Sequence, residues 1–319
     1  MFENDSKITL GISTCLLGRQ VRFDGGHKHD RFLTDTLGRY VTYVPVCPET
    51  ECGLPVPREA MRLTGDPASP RLVTVRTKID HTLRMKTWAE KKLRELEKEN
   101  LCGFIFKSKS PSSGMERVKV YNDQGIPSHN GVGIFARAFM DRFPLYPVEE
   151  EGRLHDPVLR ENFIERIFVF NRWRNLLSDG KSRGGLVDFH TRHKLLILSH
   201  STKHYQHMGK MVAAAKKSSI DRVYEEYQQS LMDALSLKTT PKKNTNVLHH
   251  VMGFFKKDIS ADEKKELLEI ISRYHEGYVP LVVPLTLINH YVRKYNQPYL
   301  QSQYYLNPHP VELQLRNHV

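Results

Sequence analysis

No apolar run in this 319-residue chain approaches the roughly 18 residues that a membrane-spanning helix needs. The opening, MFENDSKITLGIS, lacks the basic, apolar and small-residue regions of a secretory leader, so the expected location is the cytoplasm. Only four cysteines are present, too few for a disulfide framework in a chain of this size, and a reducing compartment would not sustain one. They are left as buried fillers, metal ligands or reactive thiols. There is no internal repeat, no low-complexity tract, and no nucleotide or flavin fingerprint. SDGKSRGGL, 178–186, has the composition of a phosphate-binding glycine loop, but GxxxxGK[ST] is not satisfied and no strand precedes it. It reads as a loop between helices.

What is present in excess is positive charge. The 48 Lys and Arg exceed the 36 Asp and Glu by 12. The excess is concentrated after residue 165, where 23 basic residues face 13 acidic ones and 11 of the 16 histidines lie. A basic segment of this kind attracts phosphate and releases its counterions, which points to a polyanionic partner.

The first half alternates strands and helices. KITLGIST and YVTYVPV read as strands that run into Cys15 and Cys47, KTWAEKKLRELEKE (86–99) as an amphipathic helix, and LCGFIFKS as a third strand leading into KSPSSG. Ligands of open α/β sheets gather outside the carboxyl ends of the strands, so one site is expected from Cys15, residues 47–58 and residues 108–114. GVGIFARAFMDRF is a further helix, and PLYPVEEEGRLHDP reads as a linker. The remainder is mostly helical. LVDFHTRHKLLILSHSTKHYQHMGKMVAAAKK, with Asp188 as N-cap, would align His193, His200, Lys203, His204, His207 and Lys210 near one face if it were continuous. SADEKKELLEIISRYHEG is expected to be capped by Ser260 and stopped by Gly277. The fold class is thus an α/β N-terminal domain, a small parallel sheet in a Rossmann-like three-layer arrangement (1–148), followed by a mostly α-helical domain (149–319).

PVCPETECGLPVPRE, 45–59, carries two of the four cysteines on a proline-constrained loop. With Cys15 brought to the same sheet edge, Cys15, Cys47 and Cys52 would put three thiols within reach of one metal ion or cluster. Structural zinc prefers four closed ligands, whereas three leave a position open, and soft thiolates suit either zinc or iron-sulfur. Cys102, which opens the third strand, reads as core. Arg22 and Asp24, in the loop after the first strand, either line the pocket or form a loop-fixing salt bridge.

STCLLGRQVRFDGG, PVCPETECGLPVPR and KSKSPSSG together resemble the three signatures of the thiouracil desulfidase family, over roughly residues 7–145. The resemblance implies a 4Fe-4S cluster held by three cysteines, with Cys15 and Cys47 as two ligands. The family's third cysteine falls at Ser113 here, and Cys52, in place of a glycine of the family's GGLP turn, is the expected replacement. Glu49 and Ser110 occupy the positions of the catalytic glutamate and serine. The segment from about 160 onward resembles one fused to this module in the branch of tRNA 4-thiouridine desulfidases. The implied function is conversion of 4-thiouridine in tRNA to uridine, by a cluster whose open iron binds the substrate sulfur. Lys194, Lys203, Lys210, Lys216 and Lys217 are the expected tRNA contacts, with interspersed His and Tyr for stacking; neither DNA nor a membrane is an expected partner. The alternatives are a desulfidase of free thiouracil or thiouridine, and a non-catalytic RNA-binding adaptor whose three cysteines hold a structural zinc with a histidine such as His27.

Overall fold

In the computed structural model, which describes residues 8–318, ITLGIS forms strand β1 (Ile8–Ser13), buried along nearly its whole length. Such a run suits a strand covered on both faces, the usual state of a parallel sheet. Residues 1–7, the first part of the opening read for a leader, lie outside the described residues. The first unit continues with β2 (Val41–Val46), a single helical turn α1 (Pro48–Glu51), β3 (Met61–Thr64), β4 (Arg71–Thr74), α2 (Thr82–Leu96), β5 (Phe104–Phe106), β6 (Val118–Tyr121), β7 (Pro127–Gly131), α3 (Ile134–Arg142) and β8 (Val148–Glu150). Two four-stranded sheets result. One is wholly parallel, in the order β2-β1-β5-β8; the other, β4-β3-β6-β7, is mixed.

The parallel sheet is the expected one, although its third strand is confined to Phe104–Phe106. The second sheet went unread because its strands are only four or five residues long, and β7, PSHNG, is mostly exposed and has no apolar alternation. The supposed linker is corrected as well. Val148–Glu150 pairs in parallel with Phe104–Phe106, so the division into two compact units falls at Asp156/Pro157 rather than after 148.

Helix α2 begins four residues earlier than its apolar pattern suggested and ends in a 3-10 turn at Glu99. Asn100 then takes a left-handed conformation (φ 51°) and stops it. Met85, Ala89, Leu93 and Leu96 form its buried stripe. The last three join Phe104, Phe106, Phe135 and Phe139 in the core beside the parallel sheet. Met85 and Ile134 pack with Leu63, Leu72, Val118 and Val120 of the second sheet. The helix pair α2 and α3 therefore serves both sheets. In the parallel sheet the chain passes from β1 to β2 on one side and then to β5 on the other. The crevice at this switch point, outside the carboxyl ends of β1 and β5, is where such sheets bind ligands.

The second unit is helical throughout: α4 (Pro157–Ser178), α5 (Arg183–His200), α6 (Thr202–Ala213), α7 (Ile220–Ser236), α8 (Pro241–Met252), α9 (Ala261–His275), α10 (Val282–Lys294) and the short α11 (Pro298–Gln301). No helix among the described residues is long and apolar enough to cross a membrane. The capping of α9 by Ser260 is a reciprocal box with Glu263, and Gly277 follows with φ 80°. The long histidine-rich helix is not continuous. Ser201 breaks it with an extended backbone and caps α6 by accepting a hydrogen bond from His204 N. The N-cap of α5 is Ser182, not Asp188, which lies inside the helix and pairs with Arg192. His193 and His200 are buried in α5, whereas Lys203, His207 and Lys210 are exposed on α6, so they do not share a face.

The core of this unit holds an ionic cluster. Arg316 bridges Glu161 (3.2 Å) and Glu165 (2.7 Å), and the His200 ring lies between the Leu237 carbonyl (2.6 Å) and Glu165 (3.2 Å). Burial, reinforced by the neighbouring Glu165, pushes the Glu161 carboxyl up. Burial and a neighbouring cation push three histidines down: His190, beside Lys194, and His309, beside Arg316, to about 4, and His193, beside Arg172, well below its ordinary value. These histidines take up protons in the unfolded chain between pH 6.5 and 4 but not in the folded one. Their stabilising effect is therefore complete above pH 6.5 and lost on acidification. Glu161 acts in the opposite sense, holding one proton in the folded state that the unfolded chain has released. The three histidines outweigh the one carboxyl, so the unfolded chain binds more protons and stability is expected to fall on acidification through this window. Urea unfolding followed by circular dichroism between pH 7 and 4 measures it, and a flat midpoint would contradict the burial of these rings.

Candidate active site

Strand β1 delivers Cys15 in a 3-10 turn, Thr14–Leu17, closed by Gly18 at φ 84°, a conformation that favours glycine. Strand β2 runs into Cys47, the N-cap of α1, with Pro48 at the first helical position. The two glutamates of this turn have separate tasks. Glu51 accepts from Cys47 N (2.7 Å) and pairs with Lys92, which makes it structural. Glu49 turns to the crevice. One of its oxygens accepts from Ser112 Oγ (2.9 Å), and the other from Arg58 Nε (2.9 Å) and Nη2. Arg58 is itself tied to the carbonyls of Val21 (3.0 Å) and Pro55 (3.1 Å), so the plane of the Glu49 carboxylate is set from both sides.

The loop after β5 closes the third side. Lys107 N donates to Ser13 Oγ (2.9 Å), which ties the ends of β5 and β1 together. The Lys107 ammonium pairs with Glu151, which also accepts from Ser108 N (2.6 Å) and Ser108 Oγ (2.8 Å). Ser110 Oγ accepts from Ser113 N (3.1 Å) and lies 3.0 Å from Ser112 Oγ. This loop rests on the start of α3, where Phe135 N donates to the Ser112 carbonyl (2.9 Å). At Gly133 an added Cβ would stand 2.6 Å from the Ser112 carbonyl carbon and 2.7 Å from Ser113 N, so only glycine permits this approach.

Together these segments enclose a cavity of about 320 Å³, the lower end of the range for small-molecule sites. Cys15, Cys47, Glu49, Ser110, Ser113 and Arg22 all line it. Asp24 does not; it is exposed and pairs with Arg22 (3.2 Å), the loop-fixing role. Burial pushes the Cys15 thiol up to about 11, with Lys107 pulling the other way and nearby Cys47 adding to the rise.

Cys52 does not line the cavity. Its thiol donates to the Glu49 carbonyl (3.3 Å), and the residue packs with Met61 and Trp88 against the core of the second sheet. Five residues of helical turn separate it from Cys47 by about 140° around the axis, which carries the two thiols to different sides of α1. Cys102 is buried core, as read. Among the described residues no group of three His, Cys, Asp or Glu could hold a metal ion. The cavity offers instead two thiols and a set of hydroxyls. His27 is exposed, and without Cys52 the three-cysteine zinc site of the adaptor reading is not assembled.

Sequence reasoning did not single out Lys107, Ser112 or Glu151. Ser112 lies inside the quoted KSKSPSSG, but only the folded loop distinguishes it from Ser110 and Ser113. Glu151 was hidden in the supposed linker.

In the second unit, Lys203 and Lys210 are exposed on α6 two turns apart, and Lys216 and Lys217 are exposed on the 3-10 turn that follows. Among the described residues none of the four is paired with a carboxylate. Lys194 belongs to a different setting, on α5, with its ammonium 4.9 Å from the Tyr299 ring centroid. Half of the tyrosines expected to stack on bases are in the core, Tyr224, Tyr227, Tyr274, Tyr291 and Tyr305, together with His190, His193, His200 and His309.

Residues 10–151 match the 2-thiouracil desulfurase family, and residues 194–310 match DUF1722, a family of unknown function. A solved structure described as a [4Fe-4S]-dependent thiouracil desulfidase, TudS, is 29% identical; the match covers 47% of this chain and 95% of that one, with a TM-score of 0.39. The Escherichia coli uncharacterized protein YbgA is 36% identical over 153 residues, 48% of this chain and 90% of that protein. The chain therefore belongs to the family of YbgA, and its residues 10–151 carry a segment that matches the 2-thiouracil desulfurase family.

Proposed function

We propose that the chain is a desulfidase that replaces the sulfur of 4-thiouridine in tRNA by oxygen, with a 4Fe-4S cluster as cofactor. The observation that carries this reading is the convergence of Cys15, Cys47 and Glu49 on one cavity within the segment that matches the 2-thiouracil desulfurase family. Thiolates are the donors that iron-sulfur clusters take, and Cys15 and Cys47 would hold one here. When bound, it would supply an open iron, a soft Lewis acid that polarises the thiocarbonyl. The chain's own residues do the rest. Glu49, held by Arg58 and Ser112, takes a proton from the attacking water as its oxygen bonds to C4. As the new C4 hydroxyl loses its proton to restore the carbonyl and the sulfur takes one, the C–S bond breaks and sulfur leaves as hydrosulfide, with no net redox change. Ser112 Oγ links Glu49 Oε1 (2.9 Å) to Ser110 Oγ (3.0 Å), a short relay along which that proton can move.

The choice of tRNA rests on the basic second unit with its unpaired lysines of α6. Exposing a stacked base costs a few kcal/mol, which phosphate contacts can offset. The test is anaerobic purification with iron and acid-labile sulfide analysis, followed by assay on thiolated tRNA and on free 4-thiouracil. About four irons and four sulfides per chain with preference for tRNA is the expected result. Preference for the free base would assign the smaller substrate, and zinc or no metal after reconstitution would remove the desulfidase reading.

A further inference from the structure

Once Cys52 is turned away, the cavity needs a third donor, and we infer that Ser113 Oγ, as an alkoxide, is the third protein ligand of the cluster. This rests on the cluster reading above. The cavity's hydroxyls are mostly committed: Ser13 to Lys107 N, Ser108 to Glu151, Ser112 to Glu49, and Ser110 to the amide of Ser113. Only the hydroxyls of Thr14 and Ser113 have no hydrogen-bond partner among the described residues. Thr14 is adjacent to Cys15 in a 3-10 turn, where successive side chains diverge by about 120°, and it enters from the same strand end as Cys15, so it adds no third side to the donor set.

Ser113 enters from the third side. Cys15 follows β1, Cys47 follows β2 and Ser113 lies on the loop that follows β5, so the three donors come from three adjacent strand ends. Ser113 is only 4% exposed. Its backbone is held by the hydrogen bond that Ser113 N donates to Ser110 Oγ and by the close approach of Gly133, so the donor is preorganised. Coordination breaks the O–H bond, the oxygen donates an electron pair to iron, and the proton passes to solvent. An oxygen donor is harder than a thiolate and favours ferric over ferrous iron, which lowers the reduction potential relative to a three-thiolate site.

The test compares the full-length protein with Ser113→Cys, Ser113→Ala and Cys52→Ala after anaerobic reconstitution. Iron, sulfide, the visible and electron paramagnetic resonance spectra and the reduction potential are measured, with circular dichroism as the check on folding. The inference expects Ser113→Ala to fall to about half the wild-type iron or less. It expects Ser113→Cys to keep the full complement at a higher potential with an altered spectrum, and Cys52→Ala to match wild type. Wild-type iron and an unchanged spectrum in folded Ser113→Ala would overturn it, as would loss of the cluster in Cys52→Ala. A wild-type protein that binds no cluster would instead overturn the desulfidase reading on which the inference stands.

Discussion

Replacing Glu49 by Gln is expected to lower turnover of thiolated substrate by about 10³-fold while leaving iron, sulfide and the visible spectrum at wild-type values. The glutamine amide keeps the shape of the side chain and can still accept from Arg58 through its oxygen, so the loop should hold. What it loses is the capacity to take a proton from water. The structure makes this substitution informative because Glu49 is fixed by partners on both oxygens and belongs to neither sheet's core. Its effect is therefore separable from folding. Single-turnover rates with the cluster spectrum recorded on the same sample decide the matter. Undiminished turnover would move the base elsewhere in the cavity. A lost spectrum would mean that the residue supports the cluster and not the proton.

The second large effect concerns the partner. Changing Lys203, Lys210, Lys216 and Lys217 together to Gln is expected to reduce the slope of log affinity for tRNA against log salt by about 3 to 4, close to one per lysine. On α6, residues 203 and 210 are seven apart, nearly in line along the helix and about 10 Å from each other, so both can face one backbone. Their exposure and lack of acidic partners mean that stability should stay within about 0.5 kcal/mol. Binding measured between 50 and 300 mM salt tests this, with free 4-thiouracil turnover as the control. An unchanged slope would remove this face as the RNA contact. An equal loss on the free base would point to a disturbed active site.

Part of the site was legible before any coordinates. The strands that end in Cys15 and Cys47 are short apolar runs bounded by turn residues, and the rule that ligands collect at carboxyl ends of strands brought them together. Glu49, Ser110 and Ser113 followed from the motif resemblance, and all three line the cavity. Cys52 lies off the cavity for a reason that linear spacing hides. A single turn of helix between Cys47 and Cys52 converts closeness along the chain into divergence around an axis. The histidine-rich helix failed similarly, because one serine with an extended backbone ended one helix and capped the next, which destroyed the register on which a common face depended.

The sequence by itself determined the division into an α/β part and a basic helical part, the three strand ends of the site, and the surplus of positive charge after residue 165. These properties are local or additive: periodicity, turn chemistry and net charge need no knowledge of which distant residues meet. Only the tertiary structure decided that 148–150 completes the parallel sheet, that Arg58 and Ser112 hold Glu49, that Cys52 faces away, and that most of the aromatic residues of the second unit form its core. Each of those depends on side-chain direction and on contacts between segments far apart in the chain, which packing and hydrogen-bond satisfaction settle together.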